Sequence, residues 1–331
     1  MPIHVYREQD ANLPVFVNTR VAVVGYGNQG RAQALNLRDS RVHVVVGQRP
    51  GSSWDRARAD DFHPRPVGEA VREADLVILT LPDEQAPAVF EEEISPALRA
   101  GQALGFAHGF NVRFGFINAP ADVDVVLVAP KGPGSLLRSL YVDGKGLPAL
   151  LAVHQDATGH AKRIALAWAM GIGCARAGVV ETTFASETET DLFGEQVVLC
   201  GGVPELMHAA FETLVEAGFE PEFAYLECIH ELKQIVDLVY ARGLQGMREQ
   251  ISNTARFGGL TRGQRLVPAV ARQEMKRMLE EIRDGRFARE WMAEHRAGSS
   301  TLREQDRIGS KAQIEHAGEA VRRLMPWLAG Q

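Results

Sequence analysis

Basic residues are missing from a long stretch of this chain. Between Ala177 and Leu232 it carries twelve Asp or Glu and no Lys or Arg, so nothing cationic within the segment offsets its charge and a positive partner must come from outside. The chain as a whole is short of positive charge too. Its 331 residues carry a net charge of −6, which argues against nucleic acid or a membrane surface as partner and for a small charged substrate with metal. Cysteine is scarce. Cys174, Cys200 and Cys228 are odd in number, sit among apolar residues and form no C-x-x-C pair, so they read as reduced core residues rather than a zinc site. No apolar run approaches the ~20 residues of a membrane span. The opening Met1-Pro-Ile-His-Val-Tyr-Arg7 lacks the apolar core of a signal peptide, and a cytoplasmic protein is expected.

What is present is ordinary for a globular enzyme, with 45% hydrophobic and 24% charged residues and enough length for two cores. Arg20-Val-Ala-Val-Val-Gly25 is an apolar strand that stops at a glycine, and Gly25-Tyr26-Gly27-Asn28-Gln29-Gly30 opens a helix after it. This is G-x-G-x-x-G in its required setting. The first glycine makes the turn, the second admits a pyrophosphate, and the third lets helix pack on strand. A second strand, Val42 to Gly47, leads into Gln48-Arg49-Pro50-Gly51-Ser52-Ser53, with no acid to hold a free ribose. Arg49, Ser52 and Ser53 can instead bind a 2′-phosphate, which predicts NADP(H) over NAD(H).

Further apolar runs alternate with helical patterns. Asp75 to Leu81 ends near Asp83 and Gln85, Gln102 to Ala107 ends at His108, and Asp124 to Ala129 ends at Pro130-Lys131-Gly132-Pro133-Gly134. Ala149 to Val153 follows, then an amphipathic helix from about Ala157 to Met170. The alternation predicts an α/β domain with a parallel doubly wound sheet over residues 1–181. Ligands bind beyond the carboxyl ends of such strands, and Asp83, Gln85, His108, Lys131 and Gly134 all fall on that edge.

From about residue 182 helical patterns dominate, and an all-helical domain over 182–331 is expected. Within Glu187-Thr-Glu-Thr-Asp191-Leu-Phe-Gly-Glu195-Gln196, a helix would put Asp191 and Glu195 on one face. Glu227 and Glu231 repeat the spacing. Such carboxylate pairs suit Mg²⁺ or Mn²⁺. Leu192, Phe193, Val197, Val198, Leu199 and Phe223 interleave the acids and place them beside a core. Val270 to Trp291 and Lys311 to Leu328 read as amphipathic surface helices.

The combination of Gly25 to Gly30, Phe106-Ala-His-Gly-Phe-Asn111, Ala129 to Gly134, Glu181-Thr-Thr-Phe184, Glu187 to Cys200 and Glu227-Cys-Ile-His-Glu231 is distinctive. In that order these runs resemble the ketol-acid reductoisomerases of the short class (class I, acetohydroxy acid isomeroreductases) over essentially the whole chain. The resemblance implies alkyl migration in 2-acetolactate or 2-aceto-2-hydroxybutanoate, then reduction by NADPH, on the route to valine, leucine and isoleucine. It also implies two Mg²⁺ per site and a knotted helical domain that intertwines with its copy in a homodimer. By position, Asp191 and Glu195 resemble metal ligands from one subunit, and Glu227 and Glu231 those from the other. Glu195 would carry the proton, Lys131 would hold a substrate or water oxygen, His108 would support the nicotinamide, and Ser252 of the second subunit would bind the substrate carboxylate.

The chain departs from that pattern at Arg31 and Ser135, where the family usually has His, and at Gln250 and Arg256. Its Gly47 to Ser53 loop is shorter than the common form. Three other readings remain at this point. One is an NADP-dependent, metal-assisted reductase of another 2-oxo acid, and a second is a non-catalytic NADP-binding regulator. The third is a di-iron carboxylate protein built on Glu205-x-x-His208 and Glu227-x-x-His230.

Overall fold

The computed structural model describes residues 3–10 and 19–328. Its sheet has eight strands: β1 (Val5–Tyr6), β2 (Arg20–Val24), β3 (His43–Gly47), β4 (Leu76–Leu79), β5 (Ala103–Phe106), β6 (Asp124–Pro130), β7 (Ala149–Gln155) and β8 (Val179–Glu181). They run in the order β1-β8-β7-β6-β5-β4-β2-β3. From β3 to β6 every pairing is parallel, as alternating strands and helices demand. Strand order reverses between β2 and β4, creating the switch point where such sheets leave a crevice.

Beyond β6 the sheet is mixed, because β7 pairs antiparallel to β6 and β1 antiparallel to β8. Asp124 helps fix the direction of β7. At the start of β6 its buried carboxylate accepts from the Ala157 and Thr158 N–H groups at 2.7 and 3.0 Å, and from the Thr158 hydroxyl at 2.7 Å. The residues after β7 are thereby tied to the beginning of β6. The same turn delays the helix expected from Ala157, which begins at Ala161 with its N–H donated to Asp156.

Alternation along β2 divides the core between two faces. Val21 and Val23 pack with Leu37, Ile78 and Trp168 on one side, and Ala22 and Val24 with Val77, Leu104 and Phe106 on the other. Trp168 is fully buried and donates its indole N–H to Gln33 at 3.0 Å.

The chain passes from a first compact unit, Met1–Thr190, to a second, Asp191–Gln331, within the helix Phe184–Gly194. The expected boundary at 181/182 coincides with the end of β8. The second unit is helical, as expected, and its segment Glu231–Gln250 is broken at Gly243, which takes φ +72°. Gly285, at φ +76°, splits the expected helix from Val270 to Trp291 into Ala269–Arg283 and Arg286–Arg296. The expected helix from Lys311 is shorter, Gln313–Arg322, and a 3₁₀ turn follows at Pro326–Leu328. Among the described residues no helix is long and apolar enough to cross a membrane.

Among the described residues of the second unit, Ile282, Ala288, Met292 and Val321 are buried. Phe211, Ala224 and Ala317 are buried together, with Tyr225, Ile229 and Ile314 against them. Neither Glu231–Gln250 nor Asn253–Leu266 buries any residue. Val198, Leu199 and Phe223, which the sequence placed in a core beside the acids, are exposed. Cys200 is exposed as well and Cys228 half-buried, so only Cys174 is the core thiol expected of all three, its pKa pushed up to about 12 by burial.

Candidate active site

The glycine turn sits at the carboxyl end of β2, beside the switch point. Gly25 takes φ +96° and donates its N–H to Gly47 at 3.0 Å, joining the ends of β2 and β3. A side chain on Gly30 would lie 2.2 Å from the Gly25 carbonyl oxygen, so only glycine lets the helix Asn28–Asp39 approach. Gly27 differs, because a Cβ there would meet nothing within 4 Å. The unfilled space lies where the first helical N–H groups of Asn28, Gln29 and Gly30 are available to a diphosphate.

Several side chains of this motif serve the protein itself. Tyr26 is buried against Phe62 and donates its hydroxyl to Asp60 at 2.9 Å, and burial pushes its pKa up. Arg31 holds the same carboxylate through Nε at 2.7 Å and Nη2 at 2.9 Å. That bidentate pair gives the unusual arginine a structural role, tying the helix after the glycine turn to the end of Ser52–Ala59. Gln29 donates to the Gly132 carbonyl at 2.9 Å, and Gly134 packs so closely on Asn28 that a Cβ would be 2.1 Å from its carbonyl oxygen. The glycine turn and the Pro130–Gly134 turn are thus docked on each other.

The second docked turn carries Lys131, whose Nζ donates to Glu187 Oε1 at 2.7 Å. Glu187 is 1% exposed, and its other oxygen accepts from the Gly109 N–H at 3.0 Å. One buried carboxylate therefore joins the loop after β5, the turn after β6 and the helix Phe184–Gly194. His108 Nδ1 is 3.1 Å from Asp83 Oδ2, and Asn111 donates to the Asp83 carbonyl and carboxylate at 3.1 and 3.2 Å. This ties the loops after β4 and β5 together. Among the described residues, Asn111 Oδ1 and Thr188 Oγ1 are buried without a partner, polar groups of the kind a bound ligand satisfies.

Other expected site residues lie apart from this cluster. Ser52 and Ser53 open the helix Ser52–Ala59 after Gly51. Gln85 is exposed and bonds Glu84 at 3.3 Å. Arg49, the expected phosphate anchor, is held by two carboxylates, with Nε 2.6 Å from Glu93 Oε1 and Nη2 3.2 Å from Glu92 Oε2.

In the second unit, Asp191 stands one helical turn beyond Glu187 on Phe184–Gly194, and Glu195 opens a wider π-helical turn, Glu195–Leu199. Glu227 lies in another such turn, Leu226–His230, and Glu231 begins the helix after it. Glu195, Glu227 and Glu231 are exposed, and among the described residues they do not gather into one ligand set within a single chain. Ser252 caps Asn253–Leu266 by accepting from the Ala255 N–H at 3.1 Å, which leaves its own O–H to donate. Hard carboxylate oxygens with no Lys or Arg between Ala177 and Leu232 fit a small divalent cation.

Family models match both halves of the chain. Residues 15–178 match "Acetohydroxy acid isomeroreductase, NADPH-binding domain", and 184–327 match "Ketol-acid reductoisomerase, C-terminal domain". The chain belongs to the ketol-acid reductoisomerase family. A solved NADH-preferring ketol-acid reductoisomerase from an uncultured archean is 43% identical, with a TM-score of 0.95 over 98% of this chain and 99% of that one. Two more distant structures share the fold at 18% identity over 81% of this chain. A putative oxidoreductase from Jannaschia sp. CCS1 is covered over 97% of its length with a TM-score of 0.62. A semialdehyde dehydrogenase NAD-binding protein from Cupriavidus necator is covered over 98% with a TM-score of 0.63.

The chain is therefore a ketol-acid reductoisomerase, an oxidoreductase with a pyridine-nucleotide-binding domain and a helical C-terminal domain. The reductase, regulator and di-iron readings are not favoured. Glu187 is the main site residue that sequence reasoning passed over, although its i, i+4 spacing to Asp191 repeats that of the acids chosen.

Proposed function

We propose that the chain converts a 2-hydroxy-2-alkyl-3-oxo acid, 2-acetolactate or 2-aceto-2-hydroxybutanoate, into a 2,3-dihydroxy acid for branched-chain amino acid synthesis in the cytoplasm. The observation that carries this reading is the Glu187 junction, which holds Lys131 at the strand edge occupied by the glycine turn. The glycine turn would hold the nucleotide's diphosphate, and His108 and Lys131 follow β5 and β6 on the same edge of the sheet.

Two Mg²⁺ held by Asp191, Glu195, Glu227 and Glu231 would polarise the ketone and acidify the neighbouring hydroxyl. Glu195 takes that hydroxyl proton and returns one after migration. The Lys131 ammonium steadies negative charge developing on oxygen, and Glu187 keeps it aimed. His108, oriented through Nδ1 by Asp83, supports the nicotinamide side of the site. Ser252 donates its O–H to the substrate carboxylate.

Glu227, Glu231 and Ser252 reach this site from a second copy, so the working unit is a homodimer with intertwined, knotted helical domains. Its support is the exposed apolar surface of the second unit, where Tyr240 is 89%, Leu266 68% and Leu199 67% exposed in a single chain. The hydride donor is a pyridine nucleotide. NADPH, expected from Arg49, requires that residue to leave Glu92 and Glu93, and the archaeal relative is described as NADH-preferring.

A steady-state assay with 2-acetolactate, each nucleotide and Mg²⁺ tests the reading. Turnover is expected, and Glu195→Gln should lower kcat by roughly 10²-fold or more. Turnover of the rearranged 3-hydroxy-3-methyl-2-oxobutanoate alone would remove the isomerase half.

A further inference from the structure

Arg49 lies two residues past β3, where a nucleotide-binding sheet places the group that reads the adenosine ribose. An arginine there ordinarily serves a 2′-phosphate. In this chain its fork is engaged from two sides, by Glu93 through Nε at 2.6 Å and by Glu92 through Nη2 at 3.2 Å. The two glutamates belong to a π-helical turn, Phe90–Ile94, whose ends are anchored because Phe90 and Ile94 are buried. Neighbouring residues on a regular α-helix point about 100° apart. Here both carboxylates converge on one guanidinium.

We propose that Glu92 and Glu93 select the nucleotide, occupying the Arg49 guanidinium that a 2′-phosphate needs and offering carboxylates to the ribose hydroxyls of NADH. The idea rests on the glycine turn being the dinucleotide site. A 2′-phosphate entering beside Arg49 meets two negative side chains. It is repelled unless the arginine is drawn away from them. A free 2′-hydroxyl carries no charge and can donate to either carboxylate. The acid that normally ends the second strand of an NAD site is thus supplied by another segment. All three side chains are partly exposed, at 55% for Arg49, 66% for Glu92 and 26% for Glu93, so the pairs bias the choice without locking it. Ser52 and Ser53, at the start of the next helix, keep hydroxyl and N–H donors nearby, so a phosphate could be used once the acids are neutralised.

Equilibrium titrations of NADH and NADPH, without substrate, are compared for the wild type, Glu92→Gln/Glu93→Gln and the same double variant carrying Arg49→Ala. Thermal melts confirm folding, which these exposed positions should leave intact. In the double variant the preference for NADPH over NADH should rise about tenfold, the scale of one charge-assisted hydrogen bond. Adding Arg49→Ala should abolish the gain. A Kd ratio within roughly twofold of wild type in the folded double variant would overturn the proposal. If the wild type binds neither nucleotide, the dinucleotide reading and the selector fall together. If it binds both and the ratio does not move, only the selector fails.

Discussion

Lys131 Nζ lies 2.7 Å from Glu187 Oε1, and that carboxylate is 1% exposed while the lysine side chain is 32% exposed. A buried carboxylate beside a half-buried ammonium holds the ammonium in one place. Because Glu187 also accepts from Gly109, the loop after β5 and the turn carrying Lys131 are tied to the same carboxylate.

Replacing Glu187 with Gln should break that link. An amide cannot offer two anionic oxygens, so either Lys131 or Gly109 loses its acceptor, at about 1–3 kcal/mol after allowing for the exposure of Lys131. Turnover should fall by roughly 10²-fold or more while nucleotide affinity changes little. Single-turnover kinetics beside nucleotide titration checks the split, and equal losses in both would contradict it.

Gly134→Ala should act through the other contact of the same turn. Its Cβ would sit 2.1 Å from the Asn28 carbonyl oxygen, so the two turns must separate. The expected result is a loss of about 1–3 kcal/mol of stability and a higher KM for the nucleotide. A variant with the wild-type KM and melting temperature would show that the turns need not touch.

The Asp60 cluster gives a pH prediction. The Arg31 guanidinium holds the Asp60 carboxyl below its ordinary range, partial burial opposes that, and the Tyr26 hydroxyl adds to the lowering. A depressed folded pKa contributes stability that is present above the unfolded value, about 3.9, and is lost as pH falls through the folded one. Asp60→Asn should therefore destabilise by about 1 kcal/mol at pH 7. The gap to wild type should close as pH falls below the unfolded value and through the lower folded one. Thermal melts across that range read the difference, and a gap independent of pH would remove the ionic explanation.

These relationships were legible in the sequence to different degrees. The glycine turn and strands β2 to β6 could be read because apolar runs ending in Gly, Pro or His have few other structures open to them. The direction of β7 could not be read, because it depends on Asp124 catching residues more than thirty positions away. Gly285 was visible as a glycine, but its φ of +76° was not. The π-helical turns at Glu195 and Leu226 leave no periodic signature, since one extra residue per turn resembles ordinary helical noise. Arg49 was read from its place on the chain alone. The run Glu91-Glu92-Glu93 was in plain view, yet only tertiary folding brings it to the guanidinium.

The uncovered surface of the second unit predicts its own consequence. Tyr240→Glu with Leu244→Glu places charge on two residues that are 89% and 61% exposed in one chain. If a second copy covers them, sedimentation velocity should show dissociation and activity should vanish, with nucleotide binding retained. A wild type already monomeric at micromolar concentration would contradict the homodimer.

The most direct measurement is complementation between Glu195→Gln and Glu231→Gln chains, co-expressed and purified as the mixed dimer population. Each variant alone should be folded and inactive. If each site draws Glu195 from one subunit and Glu231 from the other, every mixed dimer contains one undamaged site. Random pairing then restores about a quarter of wild-type activity. If both residues serve the same chain's site, every site in the mixture carries a lesion, and a mixture as inactive as its parents would contradict the account.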